Sequence, residues 1–234
     1  MMSNKFKRSY SLIALMIPML YACGNGEDAF TPFNGTSSTN IISDLHFSVG
    51  VNPLDPAVID DDGTHGNVEV SVIVMAGDRN NAAVTTGTVQ IRTECGLLSA
   101  PSCQLNSSGT CSVSWYSELD CIPSDYQNQI VAYTTGEESY IDHDGSGTYN
   151  NAIDTLYADE SEPFIDRAPT RNGIFNIAED QLIPNTGNGN AVHDDPFDPG
   201  FNGANCVSGC ATSTLTTIWD SVLMNLDQRT PPTP

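Results

Sequence analysis

The stretch Asp142–Asp154, DHDGSGTYNNAID, sets oxygen-bearing side chains at alternate positions around two glycines. Calcium takes six to eight hard oxygen ligands. The EF-hand loop supplies them from positions 1, 3, 5, 7 and 9, with a glycine at 6 for the turn and a bidentate acid at 12. With Asp142 at position 1, Asp144 falls at 3, Ser146 at 5, Gly147 at 6, the Thr148 carbonyl at 7 and Asn150 at 9. Position 12 is Ile153, which cannot ligate. The closing carboxylate is therefore Asp154, one residue late, or comes from Glu137 or Glu138, or is missing. Exported sites of this kind bind in the range of about 0.1 to 1 mM, suited to a stabilising ion.

A degraded copy lies in DRAPTRNGIFNIAED, residues 166–180. Asn172, Gly173, Ile174, Phe175 and Asn176, with Glu179, match positions 5 to 9 and 12, but Asp166 lies two residues too early for position 1. Asp166, Asn172 and Glu179 are the expected ligands of a looser site. Asp194, Asp195 and Asp198 form a third acidic group with no recognisable spacing. A solvated acidic loop is the plain alternative for all three. Calcium is favoured because ordering so many carboxylates costs self-repulsion that a divalent cation relieves.

Other chemistry is absent. His46, His65, His143 and His193 are scattered, with no zinc-ligand spacing, and His143 at position 2 of the loop should face solvent. No nucleophile elbow, phosphate loop or dinucleotide fingerprint occurs. Acid pairs such as Asp194 with Asp195 leave a hydrolase as the weakest reading. The expectation is a protein without catalytic residues.

The elements that must carry these loops are strands. DLHFSVGVNP, GNVEVSVIVMAGD, TGTVQIRTEC, GTCSVSWYSE and NQIVAYTTG alternate apolar with polar residues or concentrate β-branched ones. Val68, Val70, Val72 and Val74 share one face, as do Val113 and Trp115. Short strands with turn signals between them predict an all-β fold, an antiparallel sandwich with a long acidic insertion before its last strand. Residues 41–136 form the sandwich strands, 137–210 the insertion, 211–227 the final strand and 228–234 a tail. The insertion is set apart by charge, since residues 137–198 hold 14 of the 29 acidic side chains and only two basic ones.

The N-terminus addresses the chain to the envelope. Lys5, Lys7 and Arg8 precede a 12-residue apolar run, Ser11–Ala22, short of the about 20 residues a membrane span needs and typical of a signal peptide. Leu20-Tyr21-Ala22-Cys23 resembles the lipobox of bacterial lipoproteins. That resemblance implies removal of residues 1–22, lipidation of Cys23 and a flexible tether over 23–40; Gly24 in place of aspartate points to the outer membrane, facing the periplasm or the cell surface. The lipid is then the membrane partner. The chain beyond residue 22 carries five basic against 29 acidic side chains, a net charge of −24, which disfavours nucleic acid. Of seven cysteines, six remain after lipidation, and an oxidising compartment predicts three disulfides among Cys95, Cys103, Cys111, Cys121, Cys206 and Cys210. Cys103 and Cys111 flank a turn and can meet across a hairpin, Cys95 and Cys121 both fall near the opposite end of the strands, and Cys206 and Cys210 are close enough for a local bridge.

TTGTVQIRTECG, SGTCSVSW and NQIVAYTTGEES, in that order, resemble bacterial Ig-like domains of the invasin and intimin type. They are more closely similar to Ig-like surface lipoproteins in which a strand ending in a GEES-like motif runs into Asp/Asn/Gly repeats and closes with an NG…C…C segment, here FNGANCVSGC before IWDSVLMNL. The resemblance spans about residues 45–226. It implies a non-enzymatic structural or adhesive module that meets a protein or a surface glycan. The alternatives are an accessory subunit of a larger envelope assembly and an unrecognised hydrolase.

Overall fold

A computed structural model describes residues 39–58, 67–184, 186, 190, 192–196 and 198–226. The signal, Cys23, nearly all of the tether and the tail lie outside the described residues. The first strands are β1 (Phe47–Asn52), β2 (Glu69–Ala76), β3 (Thr88–Thr93), β4 (Leu97–Leu98), β5 (Ser102–Gln104), β6 (Thr110–Tyr116) and β7 (Gln127–Gly136). Two-residue ladders come next: β8 (Tyr140–Ile141), β9 (Tyr149–Asn150), β10 (Thr155–Leu156), β11 (Phe164–Ile165) and β12 (Gln181–Leu182). Then come β13 (Cys206–Ser208) and β14 (Thr216–Asn225). Two four-stranded antiparallel sheets, ordered β1-β2-β6-β4 and β14-β7-β3-β5, make an all-β sandwich.

The alternation in β2 does what its period dictates. Val70, Val72 and Val74 are fully buried, as is Trp115 of β6, with Val113 of β6 buried beside them, and they meet Val89, Ile91, Ile130 and Ile218 of the other sheet. The Trp115 indole donates to the Cys95 carbonyl at 2.7 Å. Gly96 lies against that ring with φ +86°, and a Cβ there would come within 2.4 Å of the indole nitrogen. Only glycine combines that dihedral with that clearance.

Strand β7 departs from alternation, since residues 128–133 are all buried. Ile130 and Ala132 face the sandwich core, while Val131 and Tyr133 form a second, smaller core with Ile165 and Ile183 of the insertion, flanked by Trp219 of β14. The unbroken apolar run IVAY therefore reflects a strand covered on both faces.

All three disulfides are formed: Cys95–Cys121, Cys103–Cys111 and Cys206–Cys210. The setting of the second differs from a simple hairpin. Strand β5 pairs with β3 and β6 pairs with β2, so Cys103–Cys111 ties one sheet to the other. The chain does turn tightly between them, with Asn106 N–H donating to the Thr110 carbonyl. The segment LLSAPSCQ, in which alternation is too short to read, supplies β4 and β5.

The insertion leaves and returns at one point. Gly136 pairs with Thr216 and Gln127 with Asn225, in register throughout, so residues 137–215 are the loop of one long hairpin. The last strand begins at Thr216, later than residue 211, because the Cys206–Cys210 loop turns on Asp198: its carboxylate accepts the N–H groups of Thr212 and Ser213.

Candidate metal centre

The loop Asp142–Asp154 is a hairpin tip closed by the β8–β10 ladder, with Ile141 opposite Thr155 and Tyr140 opposite Leu156. Asp142 Oδ1 accepts N–H from Gly145 and Ser146, and Oδ2 accepts from Gly147 at 2.8 Å. These bonds, that from Gly147 foremost, hold the Asp142 carboxyl below the usual carboxylate range. Gly147 has φ +72°, the left-handed turn for which position 6 needs glycine. Asp154 accepts N–H from His143 at 3.0 Å and from Asn150 at 2.8 Å.

Three carboxylates converge here: one oxygen each from Asp142, Asp144 and Asp154 lies within 4.8 Å of the others. Asp154, one residue later than the EF-hand spacing, thus takes the closing place. Glu137 and Glu138 are committed elsewhere. Glu137 is fully buried and paired with Arg79, and Glu138 accepts N–H from Glu160 and Asn202. Ser146 Oγ is bonded to the Thr148 carbonyl. Asn150 Oδ1 accepts from Ala152 N–H and the Ser208 hydroxyl, so both side chains brace the loop beside the three acids. His143 is exposed.

The second loop is a structural repeat of the first. Tyr140-Ile141-Asp142 corresponds to Phe164-Ile165-Asp166, and the β11–β12 ladder closes it as β8–β10 closes the first. Asp166 Oδ2 accepts N–H from Asn172 and from Gly173 at 2.7 Å, and Gly173, like Gly147, has φ +72°. Asn176 corresponds to Asn150: each side chain caps the residue two ahead, Ala178 or Ala152, at 3.1 Å. Asp180 takes the place of Asp154, accepting N–H from Arg167 and Asn176. The expected ligand Glu179 is displaced from the loop centre. It matches Ile153, and its carboxylate binds the Thr170 hydroxyl. Two extra residues between Asp166 and Asn172 account for the slipped first half. Aligning on the closing Asn-x-Ala-x-Asp, shared by residues 150–154 and 176–180, finds Asp180 directly in the sequence.

The third acidic group is dispersed. Asp194 N–H donates to Glu162, Asp198 caps the turn before β14, and Asp195 is exposed. A different grouping lies at the junction of sandwich and insertion. There Glu138 is pushed up to about 7, first by burial and then by Asp159 and Asp44, and Glu160 to about 8, first by burial and then by Asp44, Glu138, Asp159 and Asp195. The GEES segment and the acids of residues 159–162 are its only trace in the sequence.

Beside the first loop lies an open groove of about 630 Å³, lined by His46, Arg79, Glu138, Tyr140, Asp142 and Asn205 among others. Its acids do not form a free pair, since Glu138 is 3 % exposed and its carboxylate is held by two backbone N–H groups. Fold and loop together define a disulfide-stapled all-β sandwich that carries duplicated acidic hairpins in one long insertion. No protein-family model, curated protein or solved structure matches the chain.

Proposed function

We propose that this chain is a non-enzymatic, lipid-anchored protein of the bacterial outer membrane, an Ig-like structural or adhesive module whose insertion is ordered by calcium. The observation that carries the calcium reading is the convergence of Asp142, Asp144 and Asp154 on one point. Three carboxylates at this spacing repel one another, and a hard divalent cation offers each an oxygen-ligand bond in return. An ion there clamps the hairpin tip against the segment that pairs with it, since β9 runs alongside β13 and the Cys206–Cys210 loop. The polar groove beside the loop gives the module a surface with donors, acceptors and an aromatic ring, the chemistry that a surface glycan or a polar protein loop would meet.

Thermal unfolding with several millimolar calcium and with excess chelator tests this. The ion should raise the midpoint of the wild-type protein, and Asp142→Ala with Asp144→Ala should abolish the rise. Coincident wild-type curves would remove calcium from the account.

A further inference from the structure

The acidic hairpin 164–182 contains a buried carboxylate with one oxygen that nothing among the described residues satisfies. Asp166 is only 6 % exposed. Its Oδ2 takes the N–H groups of Asn172 and Gly173, so the carboxylate faces the loop interior, while Oδ1 is shut off from solvent and has no hydrogen-bond partner. A buried anionic oxygen left bare costs more than an exposed one, and such groups are ordinarily paired or bound to a metal. A proton on that oxygen would need an acceptor of its own. In the first loop both oxygens of Asp142 are bonded to backbone N–H groups. The two loops therefore share their closing segments but differ in the two added residues and in this unbonded oxygen.

The nearby cations do not satisfy it. Arg171 donates to the Asp166 backbone carbonyl and pairs its guanidinium with Glu94 and Asp125 of the sandwich. Arg167 donates to the Gln181 side chain. Among the described residues neither arginine forms an ion pair with Asp166 or Asp180. The other groups of the loop are hard acceptors. Asp180 stands where Asp154 stands in the first loop, and the Ile174 carbonyl matches that of Thr148, position 7 of the calcium pattern.

We infer that the hairpin 164–182 is a second divalent-cation site, with Asp166 Oδ1 and Asp180 as its anionic ligands, and that its ion locks the insertion onto the sandwich. The locking rests on the groups that hold Asp166 from behind. Its N–H donates to Gln129 Oε1 of β7 at 2.7 Å, and Gln129 in turn donates to Ser221 of β14. Ile165, the preceding residue, packs in the second core with Val131 and Tyr133. Arg171 bolts the far side of the same loop to Glu94 and Asp125. An ion drawing Asp166 and Asp180 together thus stiffens the part of the insertion that covers β7. With two carboxylates against three in the first loop, its affinity for calcium is weaker by at least about tenfold.

This inference rests on the second hairpin and stands apart from the reading of the first. The full-length protein in detergent, stripped with chelator and dialysed, would be titrated with calcium chloride by calorimetry, with the ion count read by native mass spectrometry. Trp219, whose ring packs against Phe164, reports docking by its fluorescence. Wild-type protein should bind two ions, the weaker one shifting Trp219 emission. Asp166→Asn with Asp180→Asn should lose that ion and the shift while keeping the tight one, and Asp142→Asn with Asp144→Asn should show the reverse. Two ions retained by the Asp166/Asp180 variant would overturn the second site. One ion in the wild type, lost with Asp142 and Asp144, would overturn it too and leave the first loop standing. One ion lost only with Asp166 and Asp180 would instead fail the first loop's reading. The wild-type ion count decides even where a variant does not fold.

Discussion

At the scale of single residues, a carboxylate's surroundings decide its role more than its charge does. Asp142 is ionised and held by backbone N–H groups of its own turn. Glu138 and Glu160 sit at the sandwich–insertion junction, where burial first, and like charges second, push them up to about 7 and about 8. Their native state therefore holds protons that the unfolded chain releases above its ordinary value of 4.5. Stability from these two groups is fully present below about pH 4.5 and is lost as pH rises through 7 to 8. In chelator, the denaturant midpoint should fall between about pH 5 and pH 8, and Glu160→Gln should flatten that slope. A wild-type midpoint that rises over the same interval would contradict the arrangement.

At the scale of elements, the insertion is the loop of one hairpin, entered at Gly136 and left at Thr216. Lengthening a loop between paired ends costs only about 0.6 kcal/mol per doubling, so strands β7 and β14 tolerate a connection as long as residues 137–215. What holds it against the sheet is the second core on Val131, Tyr133 and Trp219 together with the Arg171 and Arg79 ion pairs. The disulfides divide the remaining work by loop length. Cys95–Cys121 spans a sequence separation of 26, Cys103–Cys111 of 8 and Cys206–Cys210 of 4. Chain entropy gives these about 3.5, about 2.5 and about 2 kcal/mol. Serine pairs at each bridge should reproduce that order in chemical unfolding. Equal losses would mean that local contacts, not loop closure, set the contribution of each bond.

At the scale of the whole molecule, charge and anchor act together. A net charge of −24 beyond residue 22 repels anionic lipid headgroups, so in the proposed reading the lipid on Cys23 is the sole attachment. Among the described residues no helix is long and apolar enough to cross a membrane. Cys23→Ser should move the protein from the membrane pellet to the soluble fraction and abolish labelling by a radioactive fatty acid. A variant that still pellets after a salt wash would place the attachment elsewhere.

Sequence alone determined the features written in local periodicity. The valines of β2 and Val113 with Trp115 declare the core faces, the turn residues between strands declare a sandwich, and Asp142, Asp144 and Gly147 declare an acidic loop. Two cysteine pairs, Cys103 with Cys111 and Cys206 with Cys210, were legible as short spacings, and Cys95 with Cys121 from their place near one end of the strands. Contacts between distant segments decided the rest. That Cys103–Cys111 joins two sheets depends on β5 choosing β3, which a segment of three residues cannot announce. That IVAY is buried twice depends on an insertion folding back over β7. Asp180, not Glu179, closes the second loop because two added residues are absorbed ahead of Asn172, a shift that the paired ladder β11–β12 corrects in space. Asp166 Oδ1 became an unsatisfied anionic oxygen because Gln129, Arg171 and the second core bury it. Burial is a sum over neighbours far apart in the chain, and only the tertiary structure performs that sum.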